Sequence, residues 1–262
     1  MALLNKLSFH EVSFTYGAEP IVERLSFSVE QGEFVSLIGP SGVGKSTLFR
    51  LASGLVEPTA GTILLDGEQR LTRLGQVGYM PQKDLLMPWR TITENAMLPL
   101  ELRSVPKGVA RAKVEEQLPL FGLSGYADAY PDQLSGGMRQ RVSLLRATLT
   151  GADLLLLDEP FSALDGITRM EMQEWLLTMW QELSLTIVMI THDIEEALVL
   201  SDRVILLREK PIREIVEVNP PLPRERERLA RRHDPQIGAV RQEIWELLQS
   251  QKQLARVQGR FA

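Results

Sequence analysis

Three short stretches hold the residue types that could do chemistry. GPSGVGKST, residues 39–47, places Gly39, Gly42 and Gly44 among Pro40, Ser41 and Val43, then adds Lys45, Ser46 and Thr47. Glycines let successive N–H groups converge on an anion, and a helix starting there adds its partial positive charge. Gly39, Gly44, Lys45 and Ser46 fit G-x-x-x-x-G-K-[ST], in which the lysine reaches the β- and γ-phosphates and the hydroxyl ligates Mg²⁺. LLLLDEP, residues 154–160, ends four leucines in Asp158 and Glu159. Asp158 suits Mg²⁺, directly or through water, and Glu159 can take a proton from an attacking water. LSGGMRQR, residues 134–141, has paired glycines ahead of a basic run, the pattern of a second phosphate-facing backbone.

These stretches need elements to position them. FVSLIG (34–39) reads as a buried strand running into the first glycine loop, and STLFRLASGL as a helix closed at Gly54. Residues 7–35 read as short alternating strands, GTILLDGE as a strand and turn, and VGYMPQ as a strand. From about Lys83 to Thr150 the periodicity is helical, with breaks at Pro99, Pro106, Gly122 and Pro131. Buried strands return at ADLLLLDEP, LTIVMITHD and DRVILLRE. Between them lie a helix over 166–183, with Met170, Trp175, Leu176 and Met179 on its apolar side, and a short one at IEEALVLS. Apolar strands alternating with helices predict an α/β fold built on a mainly parallel sheet. The expected organisation is a core domain over 1–210 with a helical block, about 83–150, inserted in it. Residues 211–262 are expected to add a charged linker, PPLPRERERLARRHD, and an amphipathic helix striped by Ile237, Val240, Ile244, Leu247 and Leu248.

The composition narrows the class. The chain has 262 residues, 44% hydrophobic and 24% charged, and a net charge of −5, which gives no support to a nucleic-acid partner. Cysteine is absent, so disulfides and thiolate metal sites are excluded. The N-terminal stretch is not expected to be a signal peptide. No run approaches the roughly 20 apolar residues of a membrane span, so a membrane role needs another chain.

LSGG-x-x-QR some twenty residues before LLLLDEP, together with the phosphate loop, resembles the ATP-binding cassette ATPases of ABC transporters. The resemblance covers about residues 5–210. It implies a P-loop NTPase core with an N-terminal antiparallel β subdomain and an inserted α-helical subdomain, and it implies ATP and Mg²⁺ as cofactors. By resemblance Tyr16, in FTYG, stacks on adenine, and residues 39–47 bind ATP. Gln82, in MPQ, senses Mg²⁺ and the attacking water, joining Ser46 and Asp158 as a metal contact. Asp165, in SALD, crosses to the partner subunit, although it also reads as a helix N-cap. His192, in ITHD, contacts the γ-phosphate. Ser135, Gly136, Gly137 and Met138 face the ATP of a second copy in a head-to-tail dimer, which accounts for two phosphate-facing loops in one chain. Met138 stands where the family usually has Gln; the backbone donors and Ser135 remain.

KDLLMPWRTITENAMLPL (83–100) is expected, by the same resemblance, to line a groove for a cytoplasmic helix of an integral membrane permease, with many of its apolar residues in the core. MPWRT-x-TEN and LSGGMRQR are most similar to the ATPases of nitrate, sulfonate, taurine and thiamine-pyrimidine-precursor importers. The implied protein lies peripherally on the cytoplasmic face of the plasma membrane and serves an extracytoplasmic solute-binding protein indirectly. Two other readings fit parts of the sequence: a soluble cassette ATPase acting on nucleic acid or ribosomes, and a non-hydrolysing regulatory nucleotide-binding module. The first lacks its usual coiled-coil insertion or second cassette, and the second has no use for Glu159.

Overall fold

The computed structural model describes residues 5–221 and 234–258, with side chains through 249. Most of the expected charged linker lies outside the described residues. Along the chain run β1 (Asn5–Tyr16), β2 (Glu19–Glu30), β3 (Phe34–Ile38), α1 (Lys45–Ser53), β4 (Ala60–Leu65) and β5 (Gly78–Met80). The helices α2 (Ile92–Ala96), α3 (Leu98–Leu102), α4 (Lys107–Gln117) and α5 (Gly136–Thr148) follow. Then come β6 (Leu154–Asp158), α6 (Gly166–Glu182), β7 (Thr186–Ile190), α7 (Ile194–Leu200), β8 (Arg203–Leu207), β9 (Ile215–Val218) and α8 (Pro235–Gln258). The chain divides into two compact units, Met1–Thr72 with Thr186–Ala262, and Arg73–Leu185.

In the first unit β1 pairs antiparallel with β2 and with β4. The two opening strands are longer than the expected short ones, at 12 residues each. Bulges explain the difference. The β1–β2 register shifts between Phe9 and Val12, and Glu11 and Arg24 adopt positive φ, so the alternation slips while the strand continues. Gly61 fits under this bulge: a Cβ there would meet the Glu11 carbonyl oxygen at 2.4 Å. A second sheet of this unit runs β7-β3-β8-β9, with β3 parallel to β7 and β8, and β9 antiparallel to β8. Every residue of β3 and β7 is buried, as expected of parallel strands covered on both faces.

The segment just after Pro211, expected to open a linker, instead contains β9. Its alternation over Ile215–Val218 is short, which suits an edge strand. Further on, α8 packs as its stripe predicts. Ile237 and Ile244 are buried with Ile38, Ala197, Leu198, Val204 and Leu206, and Val240, Leu247 and Leu248 lean on the same cluster.

In the second unit β5 pairs parallel with β6, and helices account for most of the rest. Gly78 allows this pairing, because a Cβ there would meet Leu155 Cδ2 at 2.3 Å and the Ala147 carbonyl at 2.8 Å. The expected helix over 166–183 is α6, but Met170 is 54% exposed. The buried row is Met172, Leu176 and Met179, spaced i, i+4, i+7, and Met170 points nearly opposite to it. Trp175 is half-buried, donating through Nε1 to the Leu120 carbonyl.

Candidate functional site

In the first unit two candidate groups leave the C-terminal ends of neighbouring parallel strands, since Leu37 of β3 pairs with Ile190 of β7. Crevices at such strand ends are where α/β sheets bind ligands. After β3 comes the glycine loop. Gly42 and Gly44 take φ of +80° and +120°, which side-chain-bearing residues avoid. Gly39 and Gly44 are also packed tightly: a Cβ would meet the Leu207 carbonyl at 2.4 Å and Ile21 Cγ2 at 2.9 Å respectively. The Lys45 ammonium donates to the carbonyls of Gly39 and Pro40 at 2.7 and 3.0 Å. The lysine is thus tethered to the rim of its own loop. Val43 and Thr47 are buried, while Ser41 and Ser46 are exposed.

After β7 comes His192, exposed, between a buried Thr191 and the N-cap of α7. Thr191 Oγ1 donates to Glu196 Oε2 at 2.7 Å and accepts from the Asp193 amide at 3.0 Å. Asp193 accepts from the amides of Glu195 and Glu196. The histidine therefore sits on a turn fixed from both sides. A cavity of about 430 Å³ opens beside it, lined by Asp193, Ile194 and Glu195 and, from α8, by Arg241, Gln242 and Trp245. Tyr16, at the end of β1, is 41% exposed. Its ring meets Phe14 edge-to-face at 4.8 Å, and its hydroxyl accepts from Arg50 of α1 at 3.2 Å.

In the second unit Gln82 and Glu159 follow neighbouring strands, since Met80 of β5 pairs with Leu157 of β6. Gln82 Nε2 donates to Glu159 Oε2 at 3.0 Å. Asp158, the last residue of β6, is 7% exposed. Glu159 adopts φ +48°, a conformation that costs a residue with a side chain and recurs where function demands it. Its carbonyl accepts from the Ser162 amide and hydroxyl, which holds the turn.

LSGGMRQR, the signature segment of the sequence, opens α5. Ser135 is its N-cap, with its hydroxyl accepting from the Met138 amide at 3.3 Å. Gly137 is buried and Gly136 half-buried. Asp165 caps α6, accepting from the amides of Ile167 and Thr168 at 3.1 Å and from the Thr168 hydroxyl at 2.7 Å. The Thr168 hydroxyl bond, and then its amide, hold the Asp165 carboxyl below its ordinary pKa. The N-cap role expected of Asp165 is the one its hydrogen bonds display.

Sequence reasoning missed residues that hold these loops. Asn95 is fully buried and bonds Met87, Arg90 and Thr91 through backbone atoms, so the MPWRT loop is fixed while Trp89 stands 73% exposed on it. Arg139 and Arg146 of α5 bind the segment after Gln82. The arginine contacts join residues more than fifty apart and those of Asn95 depend on an irregular loop, and composition or periodicity carries neither.

Residues 22–162 match the family model described as ABC transporter. The chain is 46% identical to the formylaminopyrimidine import ATP-binding protein ThiZ of Halalkalibacterium halodurans, over 92% of this chain and 96% of that one. It is 40% identical to the aliphatic sulfonates import ATP-binding protein SsuB of Bacillus cereus, over 83% and 88%. Among solved structures it is similar to the dimeric post-hydrolysis form of the ATP-binding cassette MJ0796 bound to ADP and Pi. That likeness has a TM-score of 0.70 and 30% identity, over 82% of this chain and 98% of that one. With a phosphate loop after β3, a carboxylate pair at the end of β6 and a capped helix at LSGG, this chain belongs to the ABC transporter family, as one of its ATP-binding ATPases.

Proposed function

We propose that the chain is the ATP-hydrolysing subunit of an importer, working beneath a separate membrane permease. The observation that carries the import reading is the near full-length identity with import ATP-binding proteins. Among the described residues no helix is long and apolar enough to cross a membrane, so a peripheral position on the cytoplasmic face requires docking on another chain. Trp89, presented on the loop that Asn95 fixes, and the neighbouring exposed Leu85 are the apolar groups we assign to that docking surface. A nitrate-, sulfonate- or pyrimidine-precursor-like solute would be chosen by the permease and by an extracytoplasmic binding protein rather than by this chain.

Residues 39–47 hold the ATP phosphates through backbone amides, and Lys45 exchanges its loop carbonyls for the β- and γ-oxygens. Tyr16 offers a partly exposed ring to adenine. Ser46 of the first unit offers a hydroxyl, and Asp158 and Gln82 of the second offer a carboxylate and an amide carbonyl, each an oxygen donor of the kind that would hold Mg²⁺. With Nε2 of Gln82 engaged by Glu159, its Oε1 is the atom left to accept. Bound Mg²⁺ would neutralise charge on the β- and γ-oxygens. Glu159 accepts the proton of the attacking water, and His192 donates to the γ-phosphate. Ser135, Gly136 and Gly137 meet the ATP of a second copy with the amides of a helix start. Met138 serves this contact indirectly, since its amide donates to the Ser135 hydroxyl and fixes the helix start.

The test is to tag the chain in its host, solubilise membranes gently and identify what co-purifies. A polytopic membrane protein in matching amount is expected. Recovery only from the soluble fraction, with ribosomes or nucleic acid, would refute the transporter reading.

A further inference from the structure

The helix that begins with the signature segment also grips the loop that carries Gln82. Arg139 and Arg146 lie seven residues apart on α5, and so on one face of it. Both reach the same short segment, 55 and more residues earlier in the chain. Arg139 Nε donates to Asp84 Oδ2 at 3.1 Å, and its Nη1 donates to the Leu134 carbonyl at 2.7 Å. Arg146 spreads its guanidinium over two successive backbone carbonyls, Nη2 on Asp84 and Nη1 on Leu85, at 2.5 and 2.9 Å. Burial pulls the Arg146 guanidinium below its ordinary pKa, against the opposing charge of Asp84. The segment it holds needs holding: Leu85 adopts φ +47° and its side chain is 60% exposed, so its own packing does little to fix it.

We propose that Arg139 and Arg146 are positioning residues that clamp Asp84 and Leu85 to the signature helix, keeping Gln82 in register with Glu159 for turnover. The link is short and continuous. Glu159 bonds Gln82; two residues on, Asp84 bonds α5; and α5 starts at Ser135, the group assigned to the ATP of the other copy. Movement of that helix on engaging ATP therefore reaches Gln82 through two guanidinium groups. The proposal rests on the roles given above to Gln82, Glu159 and Ser135. It also explains why arginine stands at 146. Its planar fork sets two N–H groups over the two carbonyls in one fixed geometry, whereas a lysine at 146 would have to serve both from a single nitrogen on a flexible stem.

The experiment compares the full chain with its Arg146→Met and Arg146→Lys variants. It measures steady-state ATPase and amide hydrogen exchange without nucleotide. Both variants are expected to lose about tenfold in kcat with KM for ATP changed less than about twofold, and to exchange faster at residues 83–87 but not across α6. Retention of kcat within twofold by Arg146→Met, or by Arg146→Lys, would overturn the clamp. So would a fall in kcat accompanied by faster exchange throughout the unit, which marks a general structural role. Asp84→Asn, which removes the charge that pairs with Arg139 and faces Arg146 but keeps an acceptor for the Leu86 amide, gives the same split with a smaller fall should Arg146→Met not fold. Equal turnover by the parent chain and Glu159→Gln would overturn the assignment of Glu159 itself, while exchange at 83–87 would still report on the clamp.

Discussion

A methyl group added at Gly137 would meet Thr168 Cγ2 at 2.9 Å, whereas at Gly136 the nearest atom, Leu164 Cδ2, is 3.7 Å away. Paired glycines in sequence suggest one shared purpose, close backbone approach to phosphate. The structure separates them: Gly137 is where α5 packs on α6, and Gly136 has room for a side chain in the isolated chain. Gly137→Ala should therefore lower stability by about 1–3 kcal/mol through overpacking, read as a lower urea midpoint. Gly136→Ala should leave the midpoint unchanged or raised, because alanine favours a helix more than glycine does. It should still cut ATPase activity about tenfold or more, since the new methyl stands over amides assigned to the second copy's ATP. Normal ATPase in Gly136→Ala would remove that assignment. Asp165 supplies a pH test. Its folded carboxyl lies below the ordinary 3.8, so its capping contribution is complete above that value and disappears as pH falls through the lower, folded one. Asp165→Asn keeps an N-cap acceptor and should flatten stability against pH in that acid window. An unchanged acid profile would mean that the cap adds nothing to acid sensitivity.

The helix α8 shows what periodicity can and cannot carry. Its stripe was legible because one face, Ile237 to Leu248, meets one apolar cluster. The ion pair between Arg241 and Glu195 is exposed and 3.7 Å long, a kind worth little, so the helix is held by apolar contact. Ile244→Ala should cost about 2–4 kcal/mol in urea unfolding; Arg241→Ala should cost under about 1 kcal/mol. Comparable losses in the two variants would reverse that ranking. Buried strands β3, β6 and β7 were as readable as α8, since runs with at most one polar residue need no neighbour to explain them. Bulged β1 and β2 and edge strand β9 were not, because a bulge breaks the alternation and an edge strand is too short to establish one. The same limit applies to the site. The phosphate loop, Asp158–Glu159 and Ser135–Gly137 announce themselves through glycines and charges at strand or helix ends. Asn95, Arg139 and Arg146 act through backbone carbonyls brought close only by folding. Deep ion pairs are equally silent: Glu33, 4% exposed, holds Arg203 through both carboxylate oxygens, at 2.8 and 3.0 Å. Glu33→Gln would remove the charge opposite that guanidinium while Glu217 and the Ser28 carbonyl still hold it, and should cost about 1–2 kcal/mol, where no measurable loss would show the pair to be well solvated.

A chain that carries both a phosphate loop and a signature helix has, in the reading proposed above, two ATP-facing surfaces, and a head-to-tail pair of copies would use both at once. Binding then becomes a matter of timing. On the function proposed above, ATP would bridge the copies, their closing would move the permease, and hydrolysis would remove the bridge. Glu159→Gln is the substitution that stops this clock without disturbing its parts. The amide oxygen of glutamine can still accept from Gln82 Nε2, as Oε2 of Glu159 does at 3.0 Å, but it cannot take a proton from water. Loss of a general base costs about 10²–10⁴ in rate, so the variant should hold ATP and stay paired long enough to be seen. With ATP and Mg²⁺ it should run at twice the monomer mass in analytical ultracentrifugation, and with ADP at the monomer mass. Adding Lys45→Ala to the same chain should abolish the ATP-dependent species, because the phosphates lose their cation. A Glu159→Gln chain that binds ATP by calorimetry yet remains monomeric at tens of micromolar would separate nucleotide binding from pairing. The two phosphate-facing loops would then need an explanation within a single copy.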